Sequence, residues 1–294
     1  VIGEAEIRRL AARWEIDPML VDLDYVLGCF LASLYWEDRA AALRFKGGTC
    51  LRKCYYADYR FSEDLDFTAT RPIPQEELQA ALAAVVRAAG DEWQIDFGAR
   101  PIRVEAADDE YGKESYQARL YYRGPLQRRG DPRAVRLDVT VAENLAFDPV
   151  MRRIIHPYTD ADAVAEARVP CYDLLEMLVE KVRALAGQRQ YAISRDLYDT
   201  SELVRREEVE IDRLAAALPG KMKVKGLGAA EVDLERWAGR KWEFELDWER
   251  NLRHLLPTGS ADDFDSAWER TRFFLARVNQ SLRTLWREEH DRLS

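Results

Sequence analysis

In the stretch Phe61-Ser62-Glu63-Asp64-Leu65-Asp66-Phe67, two carboxylates stand two residues apart. Alternation is the period of a strand, so Ser62, Asp64 and Asp66 share one face, with Phe61, Leu65 and Phe67 opposite. Carboxylates crowded on one face repel each other unless a cation lies between them. Hard divalent ions such as Mg²⁺ commonly take one or two carboxylates together with substrate phosphates. Just upstream, Lys46-Gly47-Gly48-Thr49 reads as a turn into a helix. Exposed amides there favour an anion, and glycine lets a phosphate approach the backbone. Asp138 adds a third acid on the polar face of the strand pattern AVRLDVTV. If that strand lies beside the first, the acids form a triad. Two metal ions on such a triad can activate an attacking hydroxyl and neutralise a leaving pyrophosphate. Taken singly, each motif has a plainer reading: a solvated strand face, a simple turn, and an Asp138 paired with Arg136 or Arg133.

These residues need elements to hold them. The stretch to about Phe45 reads as mostly helix, with Asp17 as N-cap before Pro18 and a stripe of Leu20, Leu23, Leu27, Leu31 and Leu34. Residues 46–70 read as a glycine turn, a short helix and a strand. A helix with Leu78, Leu82, Val85 and Val86 on one face should stop at Gly90. SYQARLYYR and AVRLDVTV form a hairpin across a turn-rich loop, and segments near 93–97 and 101–105 are weaker strands. From Cys171 the pattern turns helical. Asp173 caps a helix with Glu176 at the capping-box position and Gly187 as its stop, and a second helix runs from about Tyr191 to Arg205. PGKMKVKGLG reads as a basic loop. Two amphipathic segments follow, with Trp237, Trp242 and Trp248, then Trp268, Phe273, Leu282 and Trp286. The expected fold class is α/β (α+β), a mixed sheet flanked by helices and then a helical domain, divided as 1–165 and 166–294.

Composition narrows the function classes. The chain holds 53 acidic and 44 basic residues, a net charge of −9, which excludes a uniformly basic coat for nucleic acid but leaves room for a local basic groove. Four cysteines without a CxxC and only three histidines argue against a zinc site or a disulfide scaffold. The thiols read as buried groups of a reducing cytoplasm, with Cys50 and Cys54 side by side on a helix. No apolar run of membrane-spanning length and no signal layout are read, so a cytoplasmic protein without a membrane partner is expected.

With both halves in view, KGGTCLRK…YRFSEDLDF resembles the first motif of AbiEii/AbiGii-type nucleotidyltransferase toxins, which include the mycobacterial MenT group and belong to the DNA polymerase β-like superfamily. VEKVRALAGQRQYAISRDLYDTSEL resembles the family's downstream motif, a lysine on one helix and an RDxxD-like segment on the next. The resemblance covers about residues 40 to 205. It implies a polymerase β-like core in which Gly48 and Thr49 cradle phosphates and Asp64, Asp66 and Asp138 bind Mg²⁺ or Mn²⁺. Ser62 lies beside the nucleotide, as the hydroxyl that an antitoxin modifies in some relatives. Lys181 and Asp196 match the downstream Lys and Asp, with Asp199 as the alternative acid.

The implied activity is transfer of a nucleoside monophosphate from an NTP, with a pyrimidine preferred, to an RNA acceptor. The tRNA 3′ end is the expected acceptor, so that charging and translation stop, and a cognate antitoxin from an adjacent gene is implied. The alternatives are transfer to a protein or small-molecule hydroxyl, and a non-catalytic nucleic-acid- or partner-binding module. An RNA acceptor requires local positive charge. The basic residues singled out are Arg44, Lys46, Arg52, Lys53, Arg60, Lys221, Lys223 and Lys225, with Tyr55, Tyr56 or Tyr59 available to stack on a base.

Overall fold

A computed structural model describes residues 1–36, 40–108, 114–126, 130–141, 143–188, 191–224, 231–260 and 262–293. The chain forms two compact units. One comprises Val1–Glu143, Pro149–Tyr172 and His254–Ser260; the other comprises Asn144–Asp148, Asp173–Arg253 and Ala261–Ser294.

The first unit is built on a seven-stranded sheet. In chain order its elements are α1 (Glu4–Trp14), α2 (Pro18–Tyr35), β1 (Leu43–Lys46), α3 (Gly47–Cys50), β2 (Asp64–Ala69), α4 (Gln75–Trp93), β3 (Arg103–Asp108), β4 (Glu114–Tyr122), β5 (Arg133–Val141), β6 (Val150–Arg153) and β7 (Arg168–Cys171). A π-helical turn, Leu51–Tyr55, continues α3. The strand order is β3-β4-β5-β2-β1-β7-β6. The sheet is mixed: β2 with β5 and β1 with β7 are parallel, and the remaining pairs are antiparallel.

Alternation sorts the side chains. Phe45, Phe67, Val139 and Tyr116 form one buried cross-strand row, and Leu65, Leu137 and Ala118 form another. Polar residues occupy the opposite face, as expected for strands with one covered side. The hairpin of β4 and β5 takes the expected form, with Tyr116, Ala118, Leu120 and Tyr122 buried.

Helix α2 begins as its sequence dictates, with Asp17 accepting a hydrogen bond from the Met19 amide at 2.7 Å. Contrary to the sequence expectation, it is long and apolar enough to cross a membrane by length and composition. Its burial within the first unit explains that character: a helix covered on every side is apolar all round. It packs against α1 and α4.

Some boundaries are corrected. Gly90 does not stop its helix. α4 runs on to Trp93 and ends at Gln94 in the left-handed region, while a Cβ at Gly90 would press to 3.3 Å from the Ile95 carbonyl oxygen. The glycine serves close packing rather than termination. Residues 93–97 contribute only an isolated bridge, Asp96 to Arg123. Strands β1, β6 and β7, each of four residues, were not read from the sequence.

The second unit is helical: α5 (Leu174–Arg183), α6 (Ser194–Arg206), α7 (Ile211–Val224), α8 (Leu234–Gly239), α9 (Lys241–Asp247) and α10 (Phe264–Leu293). α10 packs on α6 and α7, and α5 on α6 and α7. Asp173 caps α5 through the Leu175 amide at 2.8 Å. Glu176 does not close a capping box. Its buried carboxylate accepts the Ala146 and Phe147 amides at 2.9 and 3.0 Å and pairs with Lys221. The expected basic loop is helical through Val224, so Lys221 and Lys223 lie on α7, and Lys225 lies outside the described residues. Trp237 stacks on Trp268 with ring centroids 3.8 Å apart. Trp248 and Leu282 are buried, whereas Trp242, Phe273 and Trp286 are exposed and do not join the core.

Candidate active site

The acids meet through strand register. In the parallel pairing of β2 with β5, Asp66 stands directly beside Asp138 and Asp64 beside Arg136. Asp64, Asp66 and Asp138 therefore share the polar face of two adjacent strands, half-buried rather than fully solvated. Burial, and next the charge of Asp64, raise the Asp138 carboxyl above its usual range, opposed by a hydrogen bond from Gln117 and by Arg136 and Lys46. Arg136 approaches Asp64, Nη1 to Oδ1, at 3.6 Å.

β1 completes this row, with Lys46 opposite Asp66. Lys46 itself reaches Glu143 at 2.6 Å. Glu143 also accepts the Thr68 hydroxyl at 3.1 Å and the Tyr172 hydroxyl at 3.3 Å. This buried cluster was missed in the sequence. Glu143 follows its strand without a motif, and Tyr172 arrives through the parallel pairing of β7 with β1.

The glycine pair follows β1. Gly47 is in the left-handed region, φ +79°, and a Cβ there would collide with the Asp66 carboxylate. A Cβ on Gly48 would collide with the Arg60 guanidinium. Thr49 donates its hydroxyl hydrogen bond to the Asp64 carbonyl, which ties α3 to the start of β2. Backbone thus passes close to an acid and a buried cation, which fits a pocket for phosphate and a divalent ion. Gly47→Ala is expected to lower stability by about 1–2 kcal/mol through its left-handed backbone, and to displace Asp66. Urea unfolding checks the first effect and a transfer assay the second; wild-type values in both would show Gly47 to be dispensable.

Ser62 precedes β2 rather than lying on it, and is buried. The basic residues proposed for RNA need correction. Arg52, Lys53 and Arg60 are 3%, 1% and 2% exposed. Arg52 and Lys53 turn inward to Asp24 on α2, at 2.6 and 2.5 Å. Lys221 is likewise buried, in its pair with Glu176. Of the set, Arg44 and Lys46 are half-buried and Lys223 is exposed. Tyr59 is fully buried, which removes it as a stacking platform, and Tyr55 and Tyr56 are half-buried.

Three of the four cysteines, Cys50, Cys54 and Cys171, meet with their sulfurs within 4.8 Å of one another, all buried. Spacing could not show this cluster, because β7 delivers its third member.

In the second unit, α5 and α6 bring together Lys181, Asp196 and Asp199. The ammonium lies 2.7 Å from Asp196 and 2.8 Å from Asp199, so both acids of the RDxxD-like segment engage it. Both carboxylates are buried. Lys181→Met removes the ammonium that both buried carboxylates engage and is expected to cost about 3–5 kcal/mol. Equilibrium unfolding measures this, and a loss under 1 kcal/mol would show the clamp to be unimportant for stability.

The family model described as "Nucleotidyl transferase AbiEii toxin, Type IV TA system" matches residues 29–270. MenT4, a nucleotidyltransferase toxin from Mycobacterium tuberculosis H37Rv, is similar in structure with a TM-score of 0.59 and 21% identity, over 97% of this chain and 99% of that one. The crystal structure of JHP933 from Helicobacter pylori is similar with a TM-score of 0.57 and 16% identity, over 95% of this chain and 100% of that one. At such identities the two structures speak for the fold alone. A search of curated proteins returned no match.

Proposed function

The chain belongs to the family of AbiEii nucleotidyl transferase toxins of type IV toxin–antitoxin systems, and from that premise we propose that it transfers a nucleoside monophosphate, preferably a pyrimidine one, from an NTP to the 3′ end of tRNA in the cytoplasm. The observation that carries this reading is the parallel register setting Asp66 beside Asp138, with Gly47 against the Asp66 carboxylate.

Asp64, Asp66 and Asp138 are the residues to hold a divalent ion, Mg²⁺ or Mn²⁺, which when bound neutralises phosphate charge and assists deprotonation of a hydroxyl. The chain's own groups do the rest. Gly47 and Gly48 admit the triphosphate by presenting no side chain. Thr49 fixes the glycine turn to the acid strand through the Asp64 carbonyl. Asp138, whose proton affinity is raised by burial and by Asp64, accepts the proton of the acceptor hydroxyl. Lys181 is assigned to the triphosphate by its motif, with Asp196 and Asp199 orienting its ammonium. Positioning and electrostatics supply most of the acceleration in such transfers.

Family membership implies a cognate antitoxin. We assign Ser62 as a regulatory position. A phosphoryl group there would bring up to about two negative charges beside the acid pair. Because Ser62 is buried, a modifying enzyme must first displace the segment that carries it.

The test is incubation with each labelled NTP, Mg²⁺ and total tRNA. Label should enter RNA, disappear when RNA is digested beforehand, and be lost in Asp64→Ala. Label persisting in that variant would overturn the assigned role. Label that survives RNA digestion would assign the acceptor to a protein or small molecule.

A further inference from the structure

The polar sheet face carries a second pattern beyond the acids. Arg103 on β3 stands opposite Arg119 on β4, Arg119 opposite Arg136 on β5, and Arg136 opposite Asp64 on β2. Residues paired across strands project to one face. Three arginines therefore form a continuous row that ends at the acid pair. All three are exposed. Neighbouring strands lie about 4.8 Å apart, so the row runs roughly 10 Å from Arg103 to Arg136 and about one strand further to Asp64.

Like charges directly opposite each other destabilise a sheet, and here two such pairs follow in succession. Among the described residues, Arg103 and Arg119 have no ion pair with an acid, and the acid contact of Arg136 is the one to Asp64 at 3.6 Å. Besides Asp64, the acids nearest in register on this face are Glu105, one pleat from Arg103, and Asp138, one pleat from Arg136, with Gln117 opposite both. Beside the row, Arg100 sits over the ring of Tyr121 at 5.0 Å and pairs with Asp131 at 2.7 Å. A row that folds against its own charge is matched to a polyanion. A linear array of guanidinium groups suits a chain of phosphates, each of which arginine can grip with two parallel hydrogen bonds.

We propose that Arg103, Arg119 and Arg136 form the track along which the phosphate backbone of a single-stranded RNA end lies as its terminal hydroxyl enters the acid site. This deepens the reading given above and rests on it for the identity of the acceptor. The row replaces the buried Arg52, Lys53 and Arg60 as the source of local positive charge. Phosphate contacts carry no sequence information, so the track supplies affinity and direction rather than choice of RNA.

The test uses the whole chain and a fluorescent single-stranded RNA with the acceptor-end sequence of tRNA. Binding is followed by anisotropy over a range of salt, with R103Q, R119Q, the double variant, and R87Q as a control for charge, since Arg87 is an exposed residue of α4. The double variant should bind RNA at least tenfold more weakly. Its salt slope should fall by about 0.7 for each arginine removed. Its Tm should equal or exceed that of the wild type, because repulsion is relieved. Activity lost should sit in KM for RNA rather than in kcat, and R87Q should leave the slope unchanged. An unchanged affinity and slope in the double variant would overturn the proposal, as would an equal loss in R87Q. A chain that binds RNA through the row yet transfers no nucleotide would support the track and overturn the assigned reaction. A fall in Tm would identify the arginines as structural and overturn the proposal.

Discussion

Asp66→Asn is expected to abolish nucleotidyl transfer while leaving the protein as stable as before, or more so. The loss in kcat should reach about 10³-fold or more, the scale at which a single charge-stabilising group acts in an active site. The stability side follows from the neighbours. Asp66 shares its face with Asp64 and Asp138, and removing one carboxylate from a crowded set relieves repulsion. Lys46, opposite Asp66, is not stranded by the change because it is paired with Glu143. Paired measurements of kcat and Tm decide the matter. A variant within tenfold of wild-type activity would remove Asp66 from the site, and a Tm lowered by several degrees would make it structural.

Asp24→Asn should have the opposite profile, a large loss of stability whatever happens at the site. Asp24 is buried on α2 and receives Arg52 at 2.6 Å, Lys53 at 2.5 Å and the Tyr158 hydroxyl at 2.8 Å. Burial alone would raise its carboxyl. The charges and hydrogen bonds of Arg52 and Lys53 overcome that and hold it well below the usual carboxylate range. The amide keeps the shape but leaves two cations in the interior, at an expected cost of about 3–5 kcal/mol. Because the folded value lies below the unfolded one, near 3.9, the stabilisation is complete above the unfolded value. It is lost as pH falls from there towards the folded value. Burial also lowers the affinity of Lys53 for its proton, against the attraction of Asp24. Without Asp24 that lowering deepens, so stability of the variant should rise with pH below the unfolded lysine value near 10.4. Urea unfolding at several pH values checks both limbs. A deficit that does not narrow from pH 6 to pH 9 would show that Lys53 is compensated elsewhere.

The placement of the three acids was largely legible in the sequence, because period-two alternation and glycine doublets are local signals. Asp64, Asp66 and Asp138 could be set on polar strand faces without knowing which strands are neighbours. The hairpin and the Asp173 cap were legible for the same reason. What could not be read depended on distant pairing. Strands of four residues leave too short a pattern to detect, so β1, β6 and β7 were missed, and with them the clusters around Glu143 and Cys171. The basic residues misled because a run such as Arg52-Lys53 reads as surface by composition. Its partner, Asp24, stands in a largely apolar helix far upstream. The arginine row was invisible because register, not spacing, aligns Arg103, Arg119 and Arg136. The exposed Trp242 and Phe273 fell in helical stripes that resemble core faces, and periodicity does not say which apolar positions a neighbouring helix will cover.

The parallel pairing of β2 with β5 also bears on when the chemistry can begin. Parallel neighbours cannot be joined by a tight turn, and here α4, β3 and β4 lie between them in the chain. Contacts between such distant segments form late, after local helices and hairpins. A nascent chain that has not yet released β5 from the ribosome carries Asp64 and Asp66 on a strand with no Asp138 beside it. The first compact unit cannot be finished before β7 has emerged to pair with β1. A chain wired in this way cannot set Asp66 beside Asp138 until its own sheet has closed.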